Sequence, residues 1–125
     1  MIRVPWIAYP EDGVLAVLTV EPVDLCPLGI DAVIPEGFRC DGMSIPRLLR
    51  PAIGQPVDAI ATAAAVVHDY IYRTSGIRHL DSTPVTRSEA DAILRQMLID
   101  AGYGRARSWL CWTGVRIFGG KYWQK

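Results

Sequence analysis

The chain has 125 residues, half of them hydrophobic and 21% charged, a length that suits one domain and a composition far from the polar, charge-rich range of disordered chains. Thirteen basic side chains balance thirteen acidic ones, so the positive field of a dedicated duplex-DNA-binding protein is missing and that class is disfavoured. The opening Met1-Ile2-Arg3-Val4-Pro5 has no apolar run of signal-peptide length, and no stretch approaches the roughly 18 apolar residues of a membrane span.

Turn-forming residues divide the first half finely, from Pro10 and Gly13 to Gly54 and Pro56, and leave no room there for a long helix. Residues 14–20 (VLAVLTV) are rich in β-branched side chains and bounded by Asp12-Gly13 and Glu21-Pro22, which predicts a strand. Residues 4–8 and 32–39 are weaker strand candidates, confined by Pro5 and Pro35 to edge or bulge positions. The period then changes. Pro56 suits a first helical turn, and residues 57–73 run without Gly or Pro, with Ile60, Ala64, Val67 and Ile71 at helical spacing. After a loop over 74–85, Thr86-Arg87-Ser88-Glu89 forms a capping-box sequence that starts a second helix, stopped by Gly102 and Gly104. A third helix over 105–118 is apolar almost all round, which requires that something cover it. The expected class is α+β in one domain: a β-rich part over 1–55 packed on a two-helix hairpin over 56–101, with a basic aromatic helix and tail over 102–125.

Charge follows the same division. Residues 1–62 carry four basic and eight acidic side chains, and residues 63–125 carry nine and five. From Gly102 onward there are Arg105, Arg107, Arg116, Lys121 and Lys125 with no acid, interleaved with Tyr103, Trp109, Trp112, Phe118, Tyr122 and Trp123. Such a segment suits contact with phosphates or with another protein. Cys26, Cys40 and Cys111 are odd in number and lack metal-type spacing, so they are expected to be reduced.

The segment His68-Asp69-Tyr70-Ile71-Tyr72 carries the chemistry. On a helix His68 and Tyr72 share a face, whereas Asp69 is turned by about 100° toward a different ligand. A histidine held by a carboxylate is a competent general base near neutral pH. Asp69 is too close in sequence to orient the ring well. Asp91, at the edge of the apolar face of the second helix, is better placed if the two helices pack antiparallel. Asp91 would then hold His68, Tyr72 would donate to Asp91, and Asp69 would be left for a metal.

The pattern Ala63-Ala64-Ala65-x-x-His68-Asp69-x-x-Tyr72, followed by Ser75-Gly76 and Ser88-x-Ala90-Asp91, resembles the core of phospholipase A2, and most closely the disulfide-free form in viral capsid proteins. The resemblance implies that His68 activates water, that Asp69 binds Ca²⁺ and that Tyr72 and Asp91 support the histidine. Asp41 and Gly42, in Cys40-Asp41-Gly42-Met43-Ser44, are the segment in place for a calcium loop, with a single glycine where that loop is glycine-rich. Together with Phe38-x-x-Asp41-Gly42-x-Ser44-x-Pro46 and the basic aromatic tail, the chain also resembles a family of small uncharacterised phage and prophage proteins.

The expected function is therefore a phage-associated, Ca²⁺-dependent ester hydrolase acting on lipid, made in the host cytoplasm. The competing reading is a virion component of tail or baseplate type with a vestigial site, joined to other phage proteins or to a second copy through the C-terminal aromatic helix. A zinc-dependent peptidoglycan hydrolase would need more ligands than His68 and His79 supply. Each feature also has a plainer reading: His68 as a satisfied core residue, His79 as a surface residue, Asp41-Gly42 as an ordinary turn, and the tail aromatics as core or interface.

Overall fold

The computed structural model describes residues 4–11, 14–40, 59–120 and 123. Its architecture is α+β. Strands β1 (Trp6–Glu11) and β2 (Val14–Thr19) pair antiparallel, with Trp6 opposite Thr19 and Glu11 opposite Val14. Strands β3 (Val23–Asp24), β4 (Val33–Ile34) and β5 (Arg39–Cys40) follow. β5 adds to β2, giving the order β1-β2-β5, while β3 and β4 form a separate antiparallel pair. β1 carries Pro5 at its start and Pro10 within it, and its edge position accepts both, because an edge strand leaves one side of its backbone unpaired. It also extends three residues beyond the expected 4–8.

The single strand expected over 32–39 is two. Pro35 brings no N–H to a ladder and Gly37 has φ +82°, so the chain turns between β4 and β5. Buried Thr19 pins that turn: its hydroxyl donates to the Pro35 carbonyl at 2.8 Å and accepts from the Phe38 N–H at 2.9 Å. The turn thus sends β4 to one sheet and β5 to the other.

Among the described residues, three α-helices follow: α1 (Ala59–Arg73), α2 (Arg87–Asp100) and α3 (Arg105–Phe118). The expected capping box starts α2, with the Thr86 hydroxyl accepting from the Glu89 N–H and the Glu89 carboxylate accepting from the Thr86 N–H. Residues 56–58, the expected first turn of α1, lie outside the described residues. α1 packs on α2 and α2 on α3. One buried cluster joins both halves of the chain, with Val23, Leu25, Ile30 and Ile34 from the β-rich part and Val66, Val67, Ile71, Leu98 and Val115 from the helices. Full burial of such aliphatic side chains stabilises by about 1.5–3 kcal/mol each. No helix among the described residues is long and apolar enough to cross a membrane.

α3 departs from expectation. Its inner face, with Ser108, Cys111 and Val115, is buried, but Trp109 and Ile117 are 51% and 66% exposed. The helix is therefore covered on one side only. Cys26 and Cys111 are free thiols, and burial pushes the Cys111 thiol up to about 11, so it stays protonated at neutral pH.

Gly119 marks a close approach behind α3. A Cβ there would lie 2.5 Å from the Val115 carbonyl oxygen and 3.0 Å from the Tyr72 hydroxyl. Gly119→Ala is expected to destabilise the protein by about 1–3 kcal/mol through overpacking, read as a lower urea midpoint with an unchanged denaturant slope.

Candidate active site

His68 lies in the C-terminal half of α1, Asp91 in the first turns of α2, and Arg116 in the last turn of α3. The three helices bring them to one point. His68 Nε2 stands 2.7 Å from Asp91 Oδ1, and the Tyr72 hydroxyl donates to the same oxygen at 2.6 Å. The His68 and Tyr72 rings, one helical turn apart, touch with centroids 4.2 Å apart and planes tilted by 37°. Arg116 Nη1 donates to the other carboxylate oxygen, Asp91 Oδ2, at 2.8 Å. The hydrogen bond of Asp91 to His68 and that of Tyr72 to Asp91 are thus the ones that the sequence pattern predicts.

Asp91 and Tyr72 are wholly buried, and His68 is 4% exposed. Burial, the largest single influence on Asp91, pulls its carboxyl upward. Hydrogen bonds from His68, Tyr72 and Arg116 together outweigh it and hold the carboxyl below its ordinary value. Tyr72 moves the other way: burial first, then its bond to Asp91, raise the phenol far above its usual range. The network therefore contains a carboxylate and a protonated phenol. An ionised acceptor assigns a proton of the His68 pair to Nε2, so in the neutral imidazole the free lone pair lies on Nδ1. Nδ1 makes no hydrogen bond to any described residue.

Asp91 also ties the site to acid stability. A carboxyl held lower in the folded than in the unfolded chain contributes stability that is fully present above its unfolded value of about 3.9 and is lost as pH falls through the folded one. The contribution of Asp91 to thermal stability is therefore expected to be full and independent of pH above about pH 5. The melting temperature should drop below about pH 4, and Asp91→Asn should remove that acid-dependent part in a calorimetric pH series.

A second guanidinium closes the arrangement. Arg87 Nε donates to the Tyr72 hydroxyl at 3.0 Å, and its Nη2 donates to the Val115 and Arg116 carbonyls at 2.7 and 2.9 Å. These carbonyls belong to the end of α3, where the helix dipole favours a cation. Trp123 packs edge-on against Tyr72 at 5.2 Å. The family model described as protein of unknown function, DUF1353, matches residues 24–115. The chain belongs to the DUF1353 family. The match takes in His68, Asp69, Tyr72, Arg87 and Asp91 and ends one residue before Arg116. Neither a curated protein nor a solved structure matches the chain.

Two residues of this DUF1353 site were not legible as such in the sequence. Arg116 falls in the basic stretch that suits phosphates, yet it turns inward to Asp91, and Arg87 sits inside a capping motif that already explains its neighbours. His79 differs from a free surface residue, since it pairs with Glu89 and its side chain is only 25% exposed.

Asp69 is not left open. It forms an ion pair with Arg73, four residues on, at 2.9 Å. Asp41 and Gly42 lie outside the described residues. Ca²⁺ takes six to eight oxygen ligands, and among the described residues there is no group of three or more His, Cys, Asp or Glu placed to hold a metal. Of the residues expected to hold Ca²⁺, Asp69 alone is described, and the Arg73 guanidinium sits on its carboxylate.

Proposed function

We propose that this DUF1353 protein is a phage-associated hydrolase that cleaves a carboxylic ester of an anionic lipid, with His68 as general base and Asp91 and Tyr72 as the residues that position it. The observation that carries the reading is the Asp91 carboxylate, held on one oxygen by His68 and Tyr72 and on the other by Arg116. A carboxylate so fixed holds the imidazole in one tautomer and favours the cation that forms when the ring takes a proton. In the reaction, Nδ1 takes a proton from water as the water oxygen bonds to the ester carbonyl carbon. The tetrahedral intermediate then expels the alkoxide, which leaves as the alcohol with the proton held on His68. No step is assigned to Ca²⁺. The phage association rests on the resemblance of the chain to small phage and prophage proteins, and the lipid ester on that of the HDxxY helix to phospholipase A2.

A second reading, a virion assembly component with an idle site, is favoured by the exposed Trp109 and Ile117 on the outer side of α3. Exposed apolar side chains on one helix are available for contact with a partner. The test supplies the purified protein with vesicles of anionic phospholipid and quantifies released fatty acid, while particles are counted in cells producing Trp109→Ala. Release by the wild type supports the hydrolase. Absence of release, together with an assembly defect in Trp109→Ala, supports the structural role.

A further inference from the structure

Two features of the outer surface take no part in the His68 site. The first is Trp109. Ser108, Cys111 and Val115 of α3 face the core, whereas Trp109 is half exposed on the other side of the helix, with exposed Arg105 one turn before it. α3 holds arginines and no acidic residue. The result is a protruding indole with a basic neighbour.

The second feature is a concavity where the 74–85 loop meets the β-rich part. Backbone bonds join the two: the Leu80 N–H donates to the Gly29 carbonyl, and the Asp31 N–H to the Arg78 carbonyl, each at 2.9 Å. At this junction lies an open cavity of about 420 Å³, lined by Gly29, His79, Leu80, Asp81 and Thr83. Clefts of roughly 300–1,000 Å³ hold a drug-sized group, so an indole fits. Leu80 supplies an apolar wall that is 55% exposed. The surroundings are acidic. Asp31 and Asp81 are exposed, and Asp81 Oδ1 is held by the Thr83 N–H at 3.0 Å and hydroxyl at 2.6 Å. The basic side chains of the loop are engaged: Arg78 donates to the Ser82 carbonyl at 2.8 Å, and His79 pairs with Glu89.

We propose that these two surfaces are partners: Trp109 of one copy of the chain inserts into the Leu80 cavity of the next, with Arg105 against the Asp31 and Asp81 carboxylates. The chain itself carries both halves of the contact, an apolar knob with positive charge and an apolar hollow with negative charge. Pairing α3 with α3 of a second copy would instead oppose two basic helices. A knob and a hollow at different places make a head-to-tail contact, which leaves one of each free at the ends and continues into a ring or a filament. One indole anchor makes a contact at the low end of interface size, under roughly 1,200 Å² in total, so the association is transient and depends on concentration. The inference gives no part to His68 and is independent of ester hydrolysis.

Sedimentation velocity tests it on wild type, Trp109→Ala, Leu80→Arg and an equimolar mixture of the two variants. Both substitutions change exposed side chains, and circular dichroism checks that the variants are folded. The wild-type sedimentation coefficient should rise with concentration up to about 10⁻³ M, the weak end of specific affinity, and fall back as salt is added. Each variant alone should remain monomeric. Their mixture should form a 1:1 dimer and nothing larger, because the intact Trp109 of one meets the intact cavity of the other. A wild type that stays monomeric at every concentration would overturn the proposal without any variant. So would a Leu80→Arg protein that associates like the wild type, or a mixture that stays monomeric while the wild type associates. A monomeric wild type that floats with vesicles of anionic phospholipid, and loses them in Trp109→Ala, would overturn it by assigning the outer face of α3 to lipid.

Discussion

Replacing His68 by Gln is expected to lower ester hydrolysis by about 10²- to 10⁴-fold, the range that a positioned general base supplies. Glutamine keeps a side chain that donates toward Asp91, so the carboxylate retains a partner where Nε2 stood, and stability should change by less than about 1.5 kcal/mol, one hydrogen bond's net worth. What disappears is the basic Nδ1. The loss should fall on kcat more than on KM, because the base acts in the transition state and not in holding the lipid. Equal hydrolysis by wild type and variant would remove His68 from the reaction.

Asp91→Ala is expected to show the opposite weighting, with the largest stability loss of any single change at the site. It removes a wholly buried carboxylate that accepts from His68, Tyr72 and Arg116, and so leaves a guanidinium and a phenol facing a void. Breaking a buried ion pair from one side costs about 3–5 kcal/mol, a large share of the roughly 5–15 kcal/mol that holds a typical domain folded. Arg116 is one-third exposed, so water reaches its side of the pair and the lower end of that range is the expected value. Urea unfolding reads the change as a shift of midpoint, and a loss under about 1 kcal/mol would show that the carboxylate is not a structural hub.

The triad of His68, Tyr72 and Asp91 was legible in the sequence because each member sits in a strongly periodic helix whose start is marked. A four-residue spacing puts His68 and Tyr72 on one face, and the capping box fixes where α2 begins and so how Asp91 faces α1. Arg116 was hidden because a basic residue among other basic residues reads as surface, and only the packing of α3 on α2 turns it inward. The surroundings of Asp69 were hidden for a related reason. Its neighbour at the fourth position, Arg73, was visible, but the Arg39 carbonyl, to which Arg73 also donates, comes from a strand whose end depends on the turn at Gly37. That turn split the expected 32–39 strand in two. Local backbone geometry of this sort leaves only a weak trace in composition or periodicity.

Arg87 has a consequence for how the molecule comes apart. It begins α2, bonds to a phenol of α1, and holds the final carbonyls of α3. Fraying of any one helix end at this junction strips partners from the other two, so the last turns of α1 and α3 and the first turn of α2 share a single opening event. Their amide protons should exchange with solvent at a common free energy, as one cooperative unit, while the outer end of α2, beyond Leu98, opens on its own.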